Sequence, residues 1–148
     1  MPRPADPGTA FALVTDAGFA IGLCTHVDAT VRGELVWLAE GFWPEEPTSD
    51  DVAAVAAWRW PVFFPLAAAI RRHLALYLGR ADIPKALRKF PDMRSGSRQD
   101  GWFLIRDGNF DAGRRRKTRD RDLPLAFITN DTRLRERLVT AWMPRDTW

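Results

Sequence analysis

The sequence predicts a mainly β domain of the α+β class. The expected core is a strongly bent antiparallel sheet or partial barrel, with a short helix after the third strand and another at the C-terminal end. Three observations point there. Apolar residues alternate in three runs between residues 9 and 43, separated by tight turns, as in a β-meander. One later segment, 129–142, instead repeats its apolar residues at helical spacing. The length of 148 residues, 46% hydrophobic and 28% charged, suits a single globular domain spanning 1–148. A domain of that size buries about 68–70% of its unfolded surface and needs no disulfide or metal to fold.

Taken in order, "TAFALVTD" (9–16) alternates through Phe11 and Leu13 and ends in the turn Asp16-Ala17-Gly18. "GFAIGLCTHVDA" continues as a second strand with Phe19, Ile21 and Leu23 on one face. Gly22 inside it signals a bulge or a close backbone approach. After the Arg32-Gly33 turn, "ELVWLAEGFW" forms the third strand. "PEEPTSDD" then breaks the pattern, and Ser49 or Asp50 is placed to cap a short helix running to Trp58. Pro61 is expected to stop anything helical. In 62–79 the aromatic residues favour strand and the alanines favour helix; two strands are preferred, partly because of Pro65. Residues 82–101 read as an irregular connection with one helical turn. "GWFLIRDG" is a short strand closed by Asp107-Gly108, and "LPLAFI" is a strand after Pro124. Asn130 or Asp131 caps the final helix, whose stripe is Leu134, Leu138, Val139 and Trp142.

Charge is unevenly distributed. Residues 1–60 hold nine acids against three cations, whereas 61–148 hold nineteen cations against ten acids. The run "GRRRKTRDRD" (113–122), with Asp111, accounts for the chain's whole net charge of +3. Such asymmetry allows two surfaces of opposite sign. Seven tryptophans are too many to bury completely in so small a domain, so some rings are expected at an interface. The single Cys24 precludes an internal disulfide and suits a reducing compartment. No h-region is seen near the start and no apolar run is long enough to span a bilayer, so a cytoplasmic location is expected.

Chemistry-bearing patterns are sparse. Two histidines and one cysteine give no metal-ligand spacing, and no cofactor motif is present. Cys24 and His26, two apart on a strand, would share a face, and a thiol–imidazole pair can be read there. A small buried thiol beside a polar strand position is the simpler reading, because dyads normally combine different elements. Glu45, Glu46, Asp50 and Asp51 read as a solvated acidic loop, not as paired catalytic carboxylates. Nucleic-acid binding has more substance: Arg114, Arg115, Arg116 and their neighbours could neutralise phosphates, with Trp102, Phe103 and Phe110 available to stack bases. Against this, Asp111, Asp120 and Asp122 weaken the local field, and Trp102 and Phe103 lie in an apolar strand.

"GTAFALVTDAGFAIGLCTHVD" resembles the opening of the immunity protein 26 family of bacterial polymorphic-toxin systems, through Gly8, Phe11, Leu13, Gly18, Phe19 and Gly22. Phe90, Pro91 and Trp102 resemble the family's Phe-Pro segment and its later Trp-containing strand. The likeness runs over about residues 8–110; Thr9 replaces a usual acid and Leu23 a usual basic residue. It implies a mostly β protein that neutralises a cognate toxin by direct binding, without catalysis or cofactor. On that reading Trp43, Glu45, Glu46, Asp50 and Asp51 are the candidate plug for a nuclease's basic groove, and Arg114, Arg115 and Arg116 form a charged rim. A small nucleic-acid-binding module using residues 113–121 is the alternative.

Overall fold

A computed structural model describes residues 5–28, 33–109 and 116–148. Its larger sheet is antiparallel, in the order β4-β3-β2-β1-β5. The strands are β1 (Thr9–Thr15), β2 (Gly18–Asp28), β3 (Gly33–Ala39), β4 (Trp58–Phe63) and β5 (Leu76–Arg80). A smaller antiparallel sheet joins β6 (Met93–Ser97), β7 (Gly101–Ile105) and β8 (Arg116–Lys117). Among the described residues three α-helices complete the fold: α1 (Ser49–Ala53), α2 (Leu66–Arg71) and α3 (Asp131–Val139). The fold is therefore mainly β, with a short helix after the third strand and a capped helix near the C-terminal end, as expected. No helix among the described residues is long and apolar enough to cross a membrane.

The meander forms because its alternation has two apolar sides. Phe11 and Leu13 of β1 pack in one cluster with Val36, Leu38, Leu66 of α2, and Leu134 and Leu138 of α3. Ala10 joins a second cluster with Ile21, Leu23, Ala39 and Val52 of α1. Burying each Leu, Ile or Phe contributes about 1.5–3 kcal/mol, which makes the five-stranded sheet the apolar centre of the molecule. Gly22 pairs with Phe11 across the β1–β2 ladder, and a Cβ there would lie 2.2 Å from the Phe11 ring. The expected close approach is thus real, and what approaches is a ring.

Several elements differ from expectation. The third strand ends at Ala39, short of Trp43. α1 covers only Ser49–Ala53 and is capped by Thr48, not by Ser49 or Asp50. Trp58 belongs to β4, where Pro61 sits opposite Trp37. β4 is an edge strand, and there a residue without an N–H is tolerated. In the ambiguous stretch the alanines prevail: α2 separates β4 from β5, and Pro65 stands at its N-cap with no side chain able to cap. That end is satisfied from outside. Glu34 of β3 is buried, and its Oε2 accepts the Ala67 N–H at 2.7 Å.

The connection at 82–101 does contain one 3-10 turn at Lys85–Leu87, but its end forms β6. "LPLAFI" is not a strand. It contributes single parallel bridges, Leu125 to Arg94 and Ile128 to Phe63, and so ties the two sheets together. In α3 the cap is Asn130, whose Oδ1 accepts the Arg133 N–H at 2.8 Å. Leu134 and Leu138 are buried as predicted, while Val139 is exposed.

Candidate partner-binding surface

The acidic segment is anchored at its start. Phe19 and Trp43 form an antiparallel bridge: the Phe19 N–H donates to the Trp43 carbonyl at 2.8 Å, and the Trp43 N–H to the Phe19 carbonyl at 2.9 Å. Gly18 permits this approach. Its φ is +122°, and a Cβ would stand 2.8 Å from the Trp43 carbonyl oxygen. The Trp43 ring is half-buried against the cluster around Ile21 and Val52, so part of its surface is committed to packing.

The far end is fixed by a capping box. The Asp51 N–H donates to Thr48 Oγ1 at 3.4 Å, and the Thr48 N–H donates to Asp51 Oδ2 at 2.8 Å. Asp51 is thereby occupied as a capping group. Between these anchors Pro47 is buried, whereas Glu45, Glu46 and Asp50 are exposed and make no ion pair among the described residues. Of the five predicted residues in this segment, three carboxylates face solvent from a backbone held at both ends. Beside α1 lies an open groove of about 740 Å³, lined by Ser49, Ala53, Gly8, Ile83, Arg80 and Arg88 among others. Arg80 donates to the Pro7 carbonyl at 2.8 Å and Arg88 to the Ile83 carbonyl at 3.0 Å, so both cations there are tethered.

The basic run is placed differently. Arg114 and Arg115, like Phe110, lie outside the described residues. Arg116 is exposed in β8, opposite Leu104 of β7. The run is therefore not loop throughout, because residues 116 and 117 complete the small sheet.

Cys24 and His26 do not form a dyad. The β2–β3 register shifts between them, which removes the regular strand alternation. The thiol is fully buried and directed at the His26 and Ala5 carbonyls, 3.6 and 4.0 Å away. The imidazole instead meets Thr25 Oγ1 and the Arg88 carbonyl, each at 2.8 Å. Burial, and secondarily the charge of Glu34, pushes the thiol's pKa up to about 12. It stays protonated at neutral pH and is a poor nucleophile.

A residue that sequence reasoning passed over dominates the small sheet. Arg94 is completely buried in β6. Its Nε donates to the Leu123 carbonyl at 3.2 Å, and its Nη2 to the carbonyls of Pro144 at 2.7 Å, Thr147 at 2.5 Å and Arg121 at 3.4 Å. The guanidinium lies 4.1 Å from the centre of the Trp102 ring and 5.1 Å from that of Trp148, and these two rings stack on each other. Burial lowers its pKa, with the nearby Arg121 acting in the same direction. Arginine nevertheless keeps its charge at any physiological pH. In the sequence Arg94 is one arginine of the turn "RSGSR", inside the irregular connection at 82–101.

Set against known proteins, the chain matches no family model, no curated protein and no solved structure.

Proposed function

We propose that the protein is an immunity protein, binding a cognate bacterial toxin and blocking it by direct contact. One observation carries this reading: an acidic segment that is exposed in its charges yet fixed in its backbone. Flexible acidic loops are common and lose entropy on docking. A segment already held by the Phe19–Trp43 bridge and the Thr48–Asp51 box avoids much of that cost.

The charge favours a cationic counterpart. Glu45, Glu46 and Asp50 would steer an encounter with a positively charged groove, such as a nuclease presents to its substrate. The half-buried Trp43 and the adjacent groove supply apolar area, without which charge gives rate but little affinity. The likeness of residues 8–110 to the immunity protein 26 family points the same way. The alternative, a nucleic-acid module built on 113–121, relies on residues of which Arg114 and Arg115 lie outside the described structure.

The test is co-expression with the product of the neighbouring gene in a host that the product kills. Rescue is expected from the wild-type chain. It should disappear with Glu45→Lys, Glu46→Lys and Asp50→Lys combined, while far-UV circular dichroism stays unchanged. A harmless neighbour, or undiminished rescue by the triple variant, would refute the proposal.

A further inference from the structure

A second surface lies on the small sheet, apart from the acidic segment. Between β7, β8 and the final residue is a pocket of about 230 Å³, lined by Arg98, Trp102, Lys117, Thr118, Arg119 and Trp148 among others. Arg98, Lys117 and Arg119 are exposed and have no acidic partner among the described residues. Two more cations stand behind the rings: Arg94 over Trp102, and Arg121 at 5.2 Å from the centre of the Trp148 ring. The neighbouring acids among the described residues form no ion pair with these three cations. Asp100 accepts from Ser97 Oγ at 3.2 Å, Asp120 accepts the Asp122 N–H at 3.0 Å, and Asp122 pairs with Arg145 at 3.1 Å.

An independent observation concerns the donors. Arg94 Nη1 and Trp102 Nε1 are both buried without a hydrogen-bond acceptor. One belongs to a wall of the pocket and the other to the guanidinium stacked on that wall. Buried polar groups are nearly always paired, and an orphaned donor often marks the place of a water or an ion. Both atoms are closed off from the pocket's surface, so what the pocket can take is set by the three exposed cations, which ask for an acceptor that is negative and compact.

We propose that this pocket binds a phosphate-class oxyanion, either free phosphate or a phosphate of a nucleic-acid strand. The volume suits one such group. Arg98 and Arg119 can offer paired N–H donors, Lys117 a point charge and Thr118 a hydroxyl. The rings are already covered by Arg94 and Arg121, so recognition is of the anion and not of a base.

The experiment follows the indole N–H resonances of Trp102 and Trp148 while inorganic phosphate is added at constant ionic strength. A saturable shift that chloride does not reproduce is expected. Lys117→Ala with Arg119→Ala should weaken it at least about tenfold, the loss expected for charged hydrogen bonds. Arg98→Ala provides a second variant if the pair unfolds. A ten-nucleotide oligothymidylate separates the sources. Tight binding that phosphate displaces identifies a strand as the donor of the anion, and no response to the oligonucleotide identifies free phosphate. No saturable shift with either probe, an equal shift with chloride, or full binding by the variants would overturn the proposal.

Discussion

The two sheets are held together in different ways. The five-stranded sheet is apolar on both sides, with Phe11 and Leu13 facing one cluster and Ile21 and Leu23 another. The three-stranded sheet puts Met93 and Ile105 into a smaller apolar cluster with Leu35, Phe63 and Ala126, and beside it buries the charged Arg94, donating to four carbonyls. A sheet with enough apolar area tolerates loose polar detail. One with a smaller apolar side adds a directional side chain, which here also fastens Pro144 and Thr147 to the sheet. The two proposed surfaces divide the same way: Glu45, Glu46 and Asp50 follow β3 of the large sheet, and Arg98, Lys117 and Arg119 line the pocket on the small one.

The largest expected effect comes from breaking the polar centre. Arg94→Met keeps length but removes every donor, taking this partner from four carbonyls, of which Pro144's keeps the Thr147 N–H. A loss of about 3 kcal/mol or more is predicted from urea unfolding. A change below about 1 kcal/mol would mean that the small sheet is apolar in its energetics after all.

Overfilling the apolar centre ranks next. Gly22→Ala drives a methyl into the Phe11 ring and should cost about 1–3 kcal/mol in the same assay. Unchanged stability would show that the ring is free to move aside.

The smallest effect is one of pH. The Cys24 thiol ionises near pH 12 when folded but near 8.5 when unfolded. Above pH 8.5 the unfolded chain therefore binds fewer protons, and the thiol's contribution is lost as pH rises towards 12. The slope is at most about 1.4 kcal/mol per pH unit. Comparing wild type with Cys24→Ala between pH 8 and 10 isolates this from other titrations. Parallel stability curves would place the thiol in contact with water.

The same contrast explains what could be read from the sequence. The meander and the Asn130 cap were legible because alternation, turn glycines and capping residues are local signals. α2 was not, since its start is satisfied by Glu34, more than thirty residues earlier. β4 was hidden by Pro61, whose tolerance depends on lying at a sheet edge. Of the predicted surface, Glu45, Glu46 and Asp50 are exposed as expected, whereas Asp51 is spent on a cap. Arg94 and the Trp102–Trp148 pocket were illegible for a related reason. Nothing local shows that an arginine in "MRSGS" will be covered by a tail some fifty residues away.

The most direct measurement compares association rates with the proposed partner, the product of the neighbouring gene, at low salt for two charge variants. Reversing Glu45, Glu46 and Asp50 to Lys should slow association more than tenfold, because exposed interface charges act mainly on encounter. Reversing Lys117 and Arg119 to Glu should leave it within about twofold of wild type. The opposite ranking would contradict the account, placing the partner on the basic sheet and leaving the acidic segment a solvated edge.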